Sequence, residues 1–192
     1  MRRDRVVRLL ATATFALTGT GCAEITGEAA PDRAAPAGAW RTAGCEFSRA
    51  PREVRAPVTP RLGAAIERIQ RGGHDRFAAS FAGLEVDRIR VRATVYRVPS
   101  SDFDDFVRRA AQDSCIVVRD AAHTAAELDD WHDRVVADLA YWDEHGIRIA
   151  TVGSRHDGVG VEIGTRDFDR ARRQLPGRYG SGAPLVFLEE RR

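Results

Sequence analysis

Five histidines are the side chains best suited to acid–base or metal chemistry, and their spacing does not assemble a catalytic set. They are His74, His123, His132, His145 and His156. Three of them directly precede an aspartate, but adjacent residues on a helix or strand point in different directions, so these pairs are not predicted to act as dyads. The sequence contains no HExxH motif, no paired-histidine metal spacing and no nucleophile-elbow motif. It therefore predicts no catalytic residues, no metal site and no cofactor.

Cys22 ends an N-terminal segment that has the three parts of a secretory signal. Residues 1–21 contain four arginines, an apolar run from Leu9 to Leu17, and the small residues Thr18-Gly19-Thr20-Gly21. A small-residue run that ends at a cysteine resembles a lipobox, in which the cysteine is lipidated and becomes the mature N-terminus. We therefore expect a signal peptide over 1–21 and an extracytoplasmic protein held at the cell membrane by lipid on Cys22. Cleavage nearby followed by free secretion is the alternative.

Two further cysteines, Cys45 and Cys115, remain as a pair if Cys22 carries lipid. Disulfides persist in exported proteins, so we predict that these two are bridged; two unpaired thiols are the alternative. Residues 22–60 are rich in Pro, Ala, Gly and Arg, which is typical of a flexible tether. The bridge would clamp the end of this tether to an α+β domain over 61–192.

Composition limits the partners that the mature chain can have. All 30 basic residues are arginine, and the chain has neither Lys nor Asn, which is typical of a high-GC, actinobacterial genome. Residues 1–21 hold four Arg and one Asp, so removing them changes the net charge from +2 to −1. A nearly neutral chain of mixed charge lacks the basic surface that nucleic-acid binding requires, so no nucleic-acid partner is predicted.

The hydrophobic pattern beyond residue 60 predicts the order α-β-β-α-β twice, in units of about 61–121 and 124–189. We expect small antiparallel sheets covered by helices. The first helix is predicted to end at Gly72-Gly73, and one long helix to run from Thr124 to His145. The apolar stripe of that long helix comprises Leu128, Trp131, Val135, Leu139 and Trp142.

Short sequence similarities accompany this repeated order. Asp102-Phe103-Asp104 and Asp167-Phe168-Asp169 lie 65 residues apart, each after a predicted strand. Alternation over residues 88–96 predicts a half-buried strand with Arg88, Arg90 and Arg92 on one face. Such a basic face is either a solvated surface or a docking face for an acidic partner.

One hairpin carries a resemblance to a known family. Phe81-Ala82-Gly83-Leu84-Glu85-Val86, followed by Arg90-Val91-Arg92-Ala93-Thr94, resembles the corresponding hairpin of the propeptides of alpha-lytic-type secreted serine proteases. The resemblance covers roughly residues 61–189. It implies a fold of two small α+β units and docking of a sheet edge on a protease, although no protease domain follows within this sequence.

These observations favour a non-catalytic, exported and membrane-tethered protein that binds another exported protein, such as a serine protease. The alternative is a cell-envelope or small-ligand binding protein that uses an aromatic groove between the two units. Trp131, Tyr141 and Trp142 are the aromatic candidates for such a groove. Because Trp131 and Trp142 both fall on the apolar stripe, the sequence predicts that both lie in the core.

The lipid anchor gives the first testable prediction. Replacing Cys22 with Ala should release the protein from the membrane fraction, because an alanine has no thiol to acylate. Membrane fractionation followed by immunoblotting measures this, with Cys45→Ala as a control that leaves the predicted anchor intact. Unchanged membrane association of the Cys22→Ala variant would contradict lipidation.

Overall fold

A computed structural model of the protein describes residues 38–47 and 58–190, so the predicted signal peptide and Cys22 lie outside the described residues. The α-helices are α1 (Pro60–Arg76), α2 (Ser101–Ala111), α3 (Ala125–Ala137), α4 (Leu139–Glu144) and α5 (Phe168–Tyr179). The strands are β1 (Trp40–Arg41), β2 (Phe81–Asp87), β3 (Arg92–Arg97), β4 (Ile116–Asp120), β5 (Ile149–Ser154), β6 (Val161–Thr165) and β7 (Leu185–Glu189). Within these ranges no helix has the length and apolar character needed to cross a bilayer.

Two small sheets confirm the predicted α+β class and the repeated α-β-β-α-β order. The first sheet has the strand order β1-β4-β3-β2, and the second has the order β5-β6-β7. The expectation of purely antiparallel sheets was wrong, because β3 pairs with β4 and β6 pairs with β7 in parallel. Each parallel pair is joined through a helix, α2 or α5, and a crossover helix returns the chain in its starting direction.

Equivalent irregularities in the two hairpins show how the repeats correspond. The ladder shifts between Phe81 and Gly83 in β2, and between Ile149 and Thr151 in β5, which is 68 positions later in each case. The Asp-Phe-Asp similarity at 65 residues does not follow this correspondence. Phe103 is fully buried one turn inside α2, whereas Phe168 is the first residue of α5 and is only half-buried. The repeat is therefore real, but that short motif is displaced by one helical turn.

Helix α1 continues to Arg76, three residues past its predicted end at Gly72-Gly73, because these glycines are packing positions and not caps. A Cβ atom on Gly72 would lie 2.3 Å from the ring of Phe106, and one on Gly73 would lie 2.6 Å from the ring of Phe81. The missing side chains let two phenylalanine rings approach the helix backbone. The aromatic core of the first unit depends on this close contact.

The predicted long helix is divided into α3 and α4 at Asp138. This residue has φ −96° and ψ 6°, and its N–H donates to the carbonyls of Val135 and Val136 instead of the i−4 carbonyl. The apolar stripe is therefore rotated after the break. Leu139, predicted to lie in the core, is 37% exposed, whereas Trp142 is buried.

A buried arginine connects three elements of the first unit. Arg97, at the end of β3, has no solvent exposure and donates from Nε and Nη2 to the two carboxylate oxygens of Asp104 at 2.7 and 3.2 Å. Its Nη1 also donates to Asp120 at the end of β4. Burial alone would lower the pKa of Arg97, but its bonds to Asp104 and Asp120 outweigh burial and raise that pKa.

The N-terminal segment 38–47 is attached to the first sheet at several points. Strand β1 pairs with β4 in the antiparallel sense, and the Gly38 N–H donates to Asp120 Oδ2 at 2.7 Å. The predicted Cys45–Cys115 disulfide is present. Its half-cystines are 70 residues apart, a loop length for which chain entropy gives about 4 kcal/mol of stabilisation.

The Arg97 cluster gives a stability prediction. Replacing Arg97 with Met should lower the free energy of unfolding by about 3–5 kcal/mol, because Asp104 would stay buried without its cation. Combining Arg97→Met with Asp104→Leu should restore most of the loss, because the one carboxylate then left without Arg97, that of Asp120, is partly exposed and still accepts the Gly38 N–H. Denaturant unfolding measures both variants.

Arg92→Met is the matched control on the same strand. Arg92 is partly exposed and pairs with Asp87 at 3.3 Å, so we expect its loss to cost about 1 kcal/mol or less. A similar cost for Arg97→Met and Arg92→Met would contradict a special role for the buried cluster.

Candidate functional site

The histidines are distributed over both units. His74 contacts the ring of Phe81, and His156 contacts the ring of Tyr96. His132 and Asp133 do meet, at 3.0 Å between Nδ1 and Oδ1, which corrects the expectation that adjacent side chains on this helix point apart. The Asp133 side chain is exposed and that of His132 is partly exposed, so the pair lies at the edge of the solvent-facing side of α3. Within 38–47 and 58–190, no three His, Cys, Asp or Glu side chains are placed to hold a metal ion.

The predicted basic face at Arg88, Arg90 and Arg92 is not a strand face. Residues 88–91 form the turn between β2 and β3, and the strand begins only at Arg92. Asp87 holds this turn, because its Oδ1 accepts the backbone N–H groups of Ile89 and Arg90 at 3.0 Å each. The alternation in the sequence therefore continued through a turn, and the three arginines do not lie together on one strand.

Asp87 also pairs with the side chains of Arg90 and Arg92, at 3.1 and 3.3 Å. Burial would raise the pKa of Asp87, but the bonds from Arg90, together with the charge of Arg92, outweigh burial and lower that pKa. The two arginines are thus partly neutralised by a neighbour. A docking role for this cluster stays a prediction.

Strand β7 is an edge strand of the second sheet. It pairs with β6 on one side, and it ends the strand order on the other side among the described residues. Its sequence is Leu-Val-Phe-Leu-Glu, and Leu188 is 42% exposed. An apolar edge strand of this kind is a ready template for another chain.

The ladder between β6 and β7 shows which backbone groups face the open side. Val161 N–H donates to Pro184 O at 2.7 Å, and Glu190 N–H donates to Thr165 O at 3.1 Å. Alternate residues of a strand direct their backbone groups to the same neighbour, so the intervening even-numbered residues also face β6. Phe187 and Glu189 therefore present their N–H groups to the open side.

The corresponding edge of the first sheet is covered. Strand β4 occupies the same place in unit one as β7 in unit two, and β1 pairs with its outer side through Trp40↔Val118 and Arg41↔Val117. The disulfide fixes this segment next to β4. The two repeats thus differ at one edge, which carries a strand in one unit and no strand of the described residues in the other.

The two tryptophans of the long stripe have different environments. Trp142 is buried as predicted, and its Nε1 donates to the Tyr179 hydroxyl at 2.9 Å. Trp131 is only half-buried, because its ring lines an open groove of α3 and α5. The prediction that Trp131 lies in the core was therefore wrong, and Trp131→Ala should cost less than the 3–5 kcal/mol typical of a core aromatic.

Asp138 is the polar centre of this groove. It accepts from Arg178 Nε and Nη2 at 2.6 and 2.8 Å, and from the Tyr179 hydroxyl at 3.0 Å. The hydrogen bonds from Arg178 lower the pKa of Asp138, with Tyr179 adding to the effect and burial opposing it. The groove lies within the second unit, not between the two units as the sequence suggested.

Comparison of the chain with protein-family models, with curated proteins and with solved structures found no match to any of them. The contacts of the chain itself therefore carry the functional argument. Two surfaces stand out on these grounds, the uncovered edge of β7 and the groove around Asp138.

The pairing of Asp138 gives a prediction about pH. A carboxyl group whose pKa is lower in the folded chain stabilises it above its unfolded pKa of about 4, and this contribution is lost as pH falls through the folded pKa. Replacing Asp138 with Asn should therefore lower stability at pH 7 and make the further loss between pH 5 and pH 2 smaller. Unfolding free energies measured across this range test it, with Asp130→Asn on α3 as the control. An acid limb identical to that of the unchanged protein would contradict the prediction.

Proposed function

We propose that this protein is a non-catalytic binding module, exported and held at the membrane through Cys22, that takes an extended segment of another exported protein onto the edge of β7. The observation that carries the proposal is the open side of β7. Phe187 and Glu189 direct backbone N–H groups there, and the described residues provide no strand to pair with them. Added strands gain affinity from such main-chain bonds.

The first repeat supplies an internal template for this mode of binding. There, the equivalent edge of β4 accepts two residues of β1 in the antiparallel sense. The Gly38 N–H binds the carboxylate of Asp120, which ends β4 in the way that Glu189 ends β7. The geometry of the repeat is therefore compatible with an added antiparallel strand, and Glu189 is placed to receive a backbone N–H from it.

The side chains of β7 suit a partner that is apolar along one face. Val186 pairs with Glu162, and Leu188 pairs with Gly164, on the sheet face that points away from α5. Gly153 lies opposite Glu162, and a Cβ atom there would meet nothing within 4 Å. The face is open at Gly153, and Leu188 is exposed, so an added strand could bury Val186 and Leu188 with its own residues.

The occupant that we propose is a segment of an exported serine protease, because the hairpin at Phe81–Asp87 resembles that of protease propeptides. The predicted anchor supports this choice, since a tethered binding module meets partners at the outer face of the membrane. The edges of β2 and β5 are less suitable. Strand β2 carries the acidic residues Glu85 and Asp87 near its end, and β5, with the sequence Ile-Ala-Thr-Val-Gly-Ser, is less apolar than β7.

A proline at Glu189 tests the edge directly. Glu189→Pro removes an outward N–H and places a ring where the partner would lie, but the bonds from β7 to β6 stay because Glu189 N–H does not face β6. We expect this variant to bind an alpha-lytic-type secreted serine protease at least tenfold more weakly than the unchanged chain, as measured by inhibition and by surface plasmon resonance.

Glu189→Ala is the matched control, because it removes the side chain and keeps the backbone N–H. It should weaken binding by less than threefold. Equal losses in the two variants would contradict strand addition, and the absence of binding to any such protease would contradict the proposed partner. Turnover of a protease, esterase or glycosidase substrate that one His or Asp substitution abolishes would contradict the non-catalytic reading.

A further inference from the structure

The groove around Asp138 is a second candidate surface, and it is independent of the β7 edge. It has a volume of about 520 Å³ and is lined by Trp131, Arg134, Ala137, Asp138, Arg178 and Tyr179. The indole of Trp131 is half-exposed here, and it belongs to neither of the two core clusters of the described residues. The groove thus combines an accessible aromatic ring with polar groups.

The polar groups are held rigidly by a hydrogen-bond chain that ends in the core. Trp142 Nε1 donates to the Tyr179 hydroxyl, which donates to Asp138 Oδ2 at 3.0 Å. Arg178 binds both oxygens of the same carboxylate, and its guanidinium lies 4.0 Å from the centre of the Tyr141 ring. Carboxylate and guanidinium are therefore fixed in position before any ligand arrives, which lowers the cost of binding.

The helical structure is interrupted at this site. The helix breaks at Asp138, and Leu139 is left 37% exposed directly after it. Natural proteins depart from regular local structure mainly at functional or strained sites. A helix break that a hydrogen-bond network holds in place is therefore expected at a functional site. The break puts the Asp138 carboxylate into the groove, next to side chains from α5.

The hydrogen-bonding capacity of the groove indicates the class of ligand. Arg178 uses two of its five N–H donors on Asp138, and Arg134 adds a second guanidinium 4.7 Å from the centre of the Trp131 ring. Asp138 offers acceptor oxygens beside these donors. A hydroxyl group both donates and accepts hydrogen bonds, so it can bind the arginines and the carboxylate. An anion would be repelled by Asp138, and a cation would be repelled by the two arginines.

We propose that this groove binds a pyranose ring of a neutral oligosaccharide. The C–H face of the sugar would pack on the indole of Trp131, and its hydroxyls would bond Asp138 and Arg178. Arg134 is exposed at the rim and can rotate from the indole to admit the ring. Sugar binding in this groove would be separate from strand addition, because the groove lies on α3 and α5 and uses no backbone group of β7.

Isothermal titration of the full chain with three probes tests the proposal: the hexasaccharides of N-acetylglucosamine, glucose and mannose. We expect at least one of them to bind with a dissociation constant of about 1 mM or lower. The N-acetylglucosamine arm separates a cell-wall glycan from other polysaccharides, and hexagalacturonate serves as the anionic comparison. Binding of hexagalacturonate alone, or of none of the probes, would overturn the proposal.

Variants locate the site. Trp131→Ala and Asp138→Asn should each weaken binding at least tenfold, while Trp40→Phe, in the first unit, should change it less than twofold. Circular dichroism and thermal unfolding verify that the variants are folded, and Trp131→Phe, which keeps an aromatic ring, should retain part of the affinity. Sugar binding that Trp131→Ala leaves unchanged would overturn the assignment to this groove.

Discussion

The guanidinium of Arg97 is fully buried between two carboxylates, and the arrangement of the first unit depends on it. Through Asp104 it fixes the start of α2, and through Asp120 it fixes the end of β4. Asp120 in turn binds the N–H of Gly38, so the same charge cluster positions the segment that covers β4. Buried ion pairs contribute little net stability, but bidentate geometry specifies one arrangement over others.

In the second unit, the end of the middle strand is connected to the following helix without a buried charge. Thr165 occupies the place of Arg97 at the end of the middle strand, and its hydroxyl donates to the carbonyl of Arg148 at 2.7 Å and accepts the N–H of Asp167 at 3.0 Å. This smaller link holds the strand to the residues that precede β5 and α5, but among the described residues it connects to no added strand such as β1. The same repeated unit thus has an open edge at β7 in its second copy and a covered edge at β4 in its first copy.

On the helical side of the second sheet, a polar network likewise takes the place of regular structure. An uninterrupted α3–α4 helix would have kept Leu139 on the buried stripe. Instead Asp138 takes its hydrogen bonds from Arg178 and Tyr179 of α5, and the helix divides there. The result joins α5 to the helix pair through a polar network above the core of Trp142 and Leu175. The position of the Asp138 carboxylate and the exposure of Leu139 are consequences of this one break.

Local patterns in the sequence determined the α+β class, the repeated α-β-β-α-β order, the Thr124 capping box and the buried position of Trp142, because period and capping are properties of neighbouring residues. Cysteine count and compartment were enough to predict the Cys45–Cys115 bridge. The alternation of β3, continued by two residues, also places Arg97 on the face of Ala93 and Val95, so the sequence contained a signal for the buried cluster.

Only the tertiary structure decided the rest, for a common physical reason. Periodicity does not register contacts with another element or the local hydrogen bonds of a carboxylate. Four features depend on such interactions: the parallel pairing, the continuation of α1 through Gly72-Gly73, the turn at Arg88–Arg90 and the break at Asp138. Asp138 and Arg178 are 40 residues apart, and no window of local sequence contains both. Which edge of a sheet is covered, and which tryptophan reaches solvent, follow from such distant contacts, because tertiary packing overrides local preference wherever the two conflict.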